Sequence, residues 1–525
     1  MDVLEKYPSA SINALVLERD RPMAWLLLLS SMQKTFREEE AFVAAAMLFQ
    51  STRSLEDSAL GDVQQWPEYA RQVGLDLALN EVDESSLQMQ FLTSDNAFLQ
   101  GLAGWALIVR QKDKDADPAA LQNIYAQSSP ALLDIGAVQQ VTELNSYLST
   151  ISTEERIIVG ALVPMSGESK GVGARVLRGM LLAQQAYNGD SNSAQLTLLF
   201  RDASAPAEDN MRWFEEHNAL AVVGPINKES AAVYSALAEK SKIVLLPLVP
   251  ASTEKKQEPA TSDAWSFSYF LDIQAEARAV ARTSYQRYGD RSAAIIWPDV
   301  GYGQVMASAF RDEFTSLGGT IVAEVEYPRQ DTEFARTAAK VSKARPDAIF
   351  IADTGQKVSQ VVSFLAKANV WGVSGKSALN RKSRLQTHYL GTSLWQDPFL
   401  LQQATSYIQG ATIPVWYSSV SKDEESREFR ARYEKIYRSG EPSIYEAFAY
   451  DAVSLLEEIV VKRGAQDRDA VREQFLVGQW EGVTGRVIFK KNGESQHELR
   501  FITVDDGEFV GLELEQKTPP KQLAP

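Results

Sequence analysis

Three histidines, His217, His388 and His497, and no cysteine are spread over 525 residues. The side chains that most often serve as bases, thiol nucleophiles and soft metal ligands near pH 7 are therefore nearly missing. The histidines stand far apart and read as structural or exposed. Adjacent acids such as Glu215-Glu216 and Glu457-Glu458 lie on helix-period segments, where neighbouring positions point to different sides, so they read as solvated faces. No G-x-x-x-x-G-K-[ST], H-E-x-x-H or G-x-S-x-G pattern occurs, which leaves a nucleotide, zinc-protease or α/β-hydrolase reading without support. Gly171-Val172-Gly173 is too small a signal for a dinucleotide loop. No catalytic residue, metal site or cofactor is expected. Binding chemistry is better served. Two turns, PMSGESKGVG at 164–173 and VVGPINKES at 222–230, place small and polar residues, among them Ser166, Asn227 and Lys228, just past apolar runs.

Those turns belong to a repeating pattern of short apolar run, Gly- or Pro-marked turn and amphipathic segment over 157–327, which predicts a parallel α/β sheet built from βαβ units. In such a sheet the carboxyl edge is where ligands bind. Strands are expected at 157–163, 195–201, 220–223, 243–247, 293–297, 320–325, 347–351 and 387–390, with helices between them. The polar, Pro-containing stretch 252–263 reads as a surface loop. Two helical stretches after 420 end at Gly440 and Gly464, and the last part reads as a β-meander with turns at Asn492-Gly493 and Asp506-Gly507. The first 150 residues differ in kind. They hold helix-period runs such as 22–32, 38–50, 66–79 and 96–111 and no convincing strand, so an all-α, repeat-like domain of helix hairpins is expected. Ser94, Asp95 and Asn96 are its N-cap candidates. The lengths suit tetratricopeptide-like pairs, although that repeat's Trp, Gly, Tyr and Pro signature is not clean. Trp25, Trp66 and Trp105 read most simply as core anchors.

With a hydrophobic content of 45%, 23% charged residues and a net charge of -16, the chain reads as acidic globular protein. Nucleic acid and anionic membrane surfaces are excluded as main partners, since both require clustered Lys and Arg. Met1-Asp2-Val3-Leu4-Glu5 lacks a basic leader, and the apolar run 24–29 is too short to span a bilayer. A lipoprotein chain beginning just after its acylated cysteine would read the same way.

Several segments, in order, resemble the type I periplasmic binding protein superfamily, in its branched-chain amino-acid-binding branch of ABC-transporter receptors. IIVGALVPMSGESKGVGARVLRGMLLAQQAYN is similar to the family's opening strand, P-x-S/T-G loop and R-G helix. LLFRDASAPAED, AVVGPINKESAAVYSALAEKSKIVLLPLVPAS and the stretch from AAIIWPDVGYGQ to TAAKV resemble its following strand, its I-G-P turn with second pocket loop, and its second-lobe segment. The resemblance covers roughly 156–513. It implies a bilobed fold of two Rossmann-like lobes with parallel sheets, a hinge of crossover strands, and a ligand in the interlobe cleft. Lobe one is expected at 156–271 plus 418–483 and lobe two at 272–417 plus 484–513, behind the all-α domain of 1–150 and before a disordered tail at 514–525. A helical domain in front of this fold resembles a narrower group, the outer-membrane lipoprotein activators of penicillin-binding proteins. Two functions follow. One is a non-enzymatic periplasmic solute-binding protein with a membrane permease as partner; the other is an activator that docks on a peptidoglycan synthase. Lipid anchoring to the outer membrane accompanies the second.

The resemblance also implies ligand contacts at Ser166, Val172, Asn227, Lys228, Val249, Ser252, Tyr302, Thr354, Ser393 and Trp395. Lys228 at a helix start could meet an anion or be an ordinary solvated lysine; Ser252 could donate or be a plain loop serine. Tyr302, in Asp299-Val300-Gly301-Tyr302-Gly303, matches the tyrosine that packs on ligand, against a purely structural role at a helix start. Ser393 stands where amino-acid binders hold a glutamate for the ligand's ammonium, and Val172 where they hold an aromatic residue. A free amino acid would leave its ammonium unpaired there, at a cost of about 1–3 kcal/mol. The pocket is expected to be retuned, to an apolar or anionic ligand, or retired.

Overall fold

The computed structural model describes residues 12, 16–53, 65–112, 114, 116–151, 156–188, 195–249, 264–269, 273–373, 385–421, 423–437 and 440–512. The expected loop at 252–263 and the tail at 514–525 lie outside the described residues. The chain divides into two compact units, Met1–Pro225 with Arg432–Glu441 and Leu456–Gln466, and Ile226–Ala431 with Pro442–Leu455 and Asp467–Pro525.

The first unit opens with helices α1 (Arg21–Lys34), α2 (Glu38–Arg53), α3 (Trp66–Asp76), α4 (Glu84–Thr93), α5 (Ala97–Val109), α6 (Pro118–Asp134) and α7 (Val138–Ile151). Their starts are written in local chemistry. Asp83, Asn96 and Asp117 each accept hydrogen bonds from the first N–H groups of α4, α5 and α6, satisfying donors that have no partner inside the helix. Of the three N-cap candidates it is Asn96 that caps; the Ser94 hydroxyl accepts the Asn96 N–H at 3.2 Å. Gly101 and Gly104 let α5 approach α6 closely, because a Cβ on Gly101 would lie 2.9 Å from the Leu132 nitrogen and one on Gly104 2.5 Å from the Ser128 Cβ. Trp25 and Trp105 are buried in this helical core, with Phe42 and Phe49 packed on Phe98. Strand β1 (Arg156–Val163) follows, then α8 (Lys170–Asn188), β2 (Gln195–Asp202), α9 (Ala207–Glu216) and β3 (Ala221–Val223). β1 pairs in parallel with β2 on one side and β3 on the other. Helix α7 is fixed to this sheet and α6 to helix α8: Asn145 Nδ2 donates to the Leu198 carbonyl at 2.7 Å, and Arg178 of α8 donates to the Leu133 carbonyl at 3.2 Å.

The second unit begins with α10 (Lys228–Ser241), β4 (Val244–Leu246) and α11 (Ile273–Arg282), which runs on as a π-helical turn to Tyr288. Next come β5 (Ser292–Pro298), α12 (Gly301–Ser316), β6 (Thr320–Tyr327), α13 (Ala335–Ala344), β7 (Ala348–Ile351), α14 (Gly355–Lys367), β8 (Val370–Gly372) and β9 (Leu385–Leu390). These strands form one parallel sheet in the order β6-β5-β7-β9-β8. Such an order requires crossover helices, which cover both faces. Accordingly β7, and β5 after Ser292, are apolar and buried, one face packing with Tyr389 and Trp395 and the other with Phe310 and Phe314. The remaining elements are α15 (Pro398–Ala404), β10 (Ile413–Val415), α16 (Glu424–Ile436), α17 (Ile444–Glu457), α18 (Arg468–Val477), β11 (Gln479–Gly482), β12 (Gly485–Phe489), β13 (Ser495–His497), β14 (Arg500–Asp505) and β15 (Glu508–Gly511). The expected meander is two sheets. β11-β12-β13 form one, while β14 and β15 join β10, a short strand whose Pro414 masks it in sequence. Both expected turns are present, with Gly493, Asp506 and Gly507 at positive φ.

No helix among the described residues is long and apolar enough to cross a membrane, and none of their His, Asp and Glu side chains cluster as a metal site.

Candidate functional site

Because β5, β7 and β9 are adjacent and parallel, their carboxyl ends bring three loops together: 299–302, 352–355 and 391–395. This is the sheet edge at which open α/β folds bind ligands. Tyr302 in the first turn of α12, Thr354 at the N-cap of α14 and Ser393 in a 3₁₀ turn (Ser393–Trp395) all stand there.

Ser393 does not act alone. Its hydroxyl donates to Glu276 Oε1 at 2.7 Å and its backbone N–H to Glu276 Oε2 at 3.1 Å, while the Trp416 indole N–H donates to Oε1 at 2.5 Å. Glu276 comes from α11 and is 2% exposed. A buried carboxylate is tolerated when it is hydrogen-bonded in this way. Asp353 is a second buried acid at the edge, accepting the Tyr327 hydroxyl on Oδ2 and the Thr354 N–H on Oδ1 at 2.6 Å. Burial and then the Asp353 carboxylate push the Tyr327 phenol well above its ordinary value.

Tyr302 stands among these groups, half-buried. Burial first, then the negative charge of Glu276, raise its phenol well above the ordinary value, with Asp353 adding to the effect. It is thus a neutral hydroxyl donor over the whole physiological range. Thr392, whose buried hydroxyl makes no well-formed hydrogen bond among the described residues, lies close enough to offset part of that rise. The Thr354 hydroxyl is exposed and does not cap its own helix. The wall therefore offers hydroxyl groups backed by two buried carboxylates that are already engaged.

Trp395 departs from expectation. It is fully buried, donates its indole N–H to the Ile351 carbonyl at 3.2 Å and belongs to the apolar core beneath the sheet, so it supports the wall and has no face for a ligand. Asn227 caps α10, accepting the Ser230 N–H at 3.0 Å; Lys228 beside it is exposed and Val249 is buried. Ser252 lies outside the described residues. In the first unit, the Ser166 hydroxyl donates to Asp202 Oδ2 at 2.9 Å. Burial alone would raise the Asp202 carboxyl, but the N–H groups of Ser204 and Met165 and the Ser166 hydroxyl hold it below its usual range. Val172 is in the first turn of α8, half-buried, one residue before Gly173, where a Cβ would overlap the Pro164 carbonyl.

The model of the periplasmic binding protein family matches residues 156–508, about two thirds of the chain. The chain belongs to that family. Solved structures agree on the periplasmic binding fold. A candidate branched-chain amino acid ABC transporter from Rhodospirillum rubrum is 20% identical, with a TM-score of 0.59 over 68% of this chain and 100% of its own. An ABC transporter substrate-binding protein from Sphaerobacter thermophilus is 18% identical, with a TM-score of 0.52 over 69% and 97%. Another, from Desulfitobacterium hafniense, is 21% identical, with a TM-score of 0.50 over 68% and 100%. Periplasmic binding proteins are non-enzymatic solute binders of the periplasm, and that is the class and compartment of this chain. The helical residues before 156 lie outside the family match.

Glu276, Trp416, Asp353 and Thr392 were not among the expected site residues. Glu276 had a signal: it shares the buried stripe of α11 with Ala277, Val280 and Ala281, and an acid on an apolar stripe needs a partner. Nothing in the sequence names that partner, which lies more than a hundred residues away.

Proposed function

We propose that the chain holds a small solute, amino-acid-like or otherwise polar or apolar, against the wall made by Tyr302, Thr354 and Ser393, and delivers it to an ABC-type permease. The observation that carries this is Tyr302, a neutral phenol at the sheet's ligand edge with two acid-anchored loops beside it. The family pattern adds Ser166, Val172, Asn227, Lys228 and Val249 as further contacts. The Rhodospirillum relative is named for branched-chain amino acids, so leucine, isoleucine and valine belong in any test. Glu276, however, is already bound by Ser393 and Trp416, which favours a solute that does not depend on that carboxylate for an ammonium. A thermal-shift panel of amino acids, amides and small aliphatic and aromatic acids tests the reading. A binding solute at a hundred times its Kd stabilises by about 2.7 kcal/mol; a panel without a hit counts against it.

A second reading, protein docking on a peptidoglycan synthase by a lipid-anchored activator, is favoured by exposed apolar pairs on the helices outside the family match. Met23 and Leu27 stand one turn apart on α1, and Met89 and Leu92 on α4. Affinity for a synthase ectodomain that is lost when Leu27 and Leu92 become charged would support it, and no measurable affinity would remove it.

A further inference from the structure

The loop that carries Ser166 is touched from outside its own sheet. Lys170, at the start of α8, pairs through Nζ with Glu68 Oε2 of α3 at 3.2 Å. Glu68 is held in place by the Arg71 guanidinium, which is 8% exposed and also donates to the carbonyls of Ile135 at 3.2 Å and Gly136 at 2.9 Å, in the turn between α6 and α7. At the other end of the loop, Thr142 of α7 sets its hydroxyl oxygen 3.5 Å from Met165 Sδ. The helices thus reach both ends of the loop. From inside, Asp202 binds the Met165 N–H and the Ser166 hydroxyl. Residues 166–169 between those ends are exposed, with Gly167 at a φ of 70°.

We infer that Glu68 is a positioning residue for the loop at 165–172, so that the helical region sets the shape of the segment presenting Ser166 and Val172. An exposed loop with few buried contacts opens at little cost, and its conformation then depends on what holds its ends. A lone surface ion pair is worth little, largely because two long side chains must be ordered to make it. Here one of the two is ordered beforehand, since Arg71 fixes the Glu68 carboxylate and the backbone of the α6–α7 turn fixes Arg71. Preorganisation of that kind lowers the cost of the contact. The contacts of Asn145 with Leu198 and of Arg178 with Leu133 hold α7 to the sheet and α6 to α8, so the pair joins two parts already in register. The inference goes beyond solute binding and does not depend on it.

Hydrogen exchange read by mass spectrometry on the full chain tests it, with Glu68→Gln, Lys170→Met, the double variant and Lys170→Arg. The expected result is exchange of the 165–173 amides about three- to ten-fold faster in either single variant, the range that one restrained ion pair supplies. The double variant should be no faster than the singles, Lys170→Arg close to the starting chain, and the α5 amides unchanged. Unaltered loop exchange in both singles would overturn the inference. So would additive effects, an increase shared by Lys170→Arg, or a uniform rise across the helices, which would make the pair merely structural.

Discussion

The Ser393 hydroxyl donates to the buried Glu276 carboxylate at 2.7 Å, across 117 residues of sequence. The acid belongs to α11 and reaches the 391–395 loop from behind. Three donors, the Ser393 hydroxyl and N–H and the Trp416 indole, converge on it. The carboxylate anchors the 391–395 loop and shapes the potential at Tyr302.

Glu276→Gln should therefore destabilise the protein by about 2–4 kcal/mol, because an amide offers one acceptor oxygen and turns an NH₂ donor toward donors. Denaturant unfolding checks this; a loss under about 0.5 kcal/mol would mean that the three donors find other partners.

The parallel sheet was legible because βαβ segments repeat apolar run, turn and amphipathic helix, while Tyr302 came only from the family resemblance. What escaped were short or long-range features. β8 ends on Gly372 and β10 carries Pro414, so neither gives the unbroken apolar run that marks the equally short β3 and β4. The Glu276–Ser393–Trp416 and Asp353–Tyr327 clusters join elements that only the strand order brings together. Trp395 is of the same kind: a tryptophan beside a candidate serine can face either the ligand or the core, and its full burial in the apolar cluster beneath the sheet decides for the core.

Glu457 on α17 is fully buried, neither of its oxygens has a hydrogen-bond partner among the described residues, and burial pushes its carboxyl up to about 9. The folded state keeps the proton while the unfolded chain releases it above its ordinary value of 4.5. Its contribution to stability is full below that value and is lost as pH rises toward 9, by at most about 1.4 kcal/mol per pH unit. Glu457→Gln should flatten the fall in Tm between pH 5 and pH 9 and raise Tm at pH 8. An unchanged slope would contradict the buried neutral acid.

His497 acts in the opposite direction. Its ring packs against Trp416, Tyr269 and Phe448, its Nδ1 is buried without a hydrogen-bond partner among the described residues, and burial brings it down to about 4. The unfolded chain takes up a proton near the ordinary 6.5 while the folded chain does not, so stability is lost as pH falls from about 6.5 to about 4. His497→Gln should make the acid limb of the Tm profile shallower, although the lost packing lowers Tm at pH 7. A limb as steep as before would place the titration elsewhere.

Whether Tyr302 contacts the solute is tested most directly by calorimetric titration of a solute found by thermal shift into the starting chain and Tyr302→Ala. Saturable one-to-one binding should weaken at least about ten-fold in the variant, or roughly 1.4 kcal/mol, with folding retained. An equal Kd in both proteins, or no solute that binds either, would contradict it.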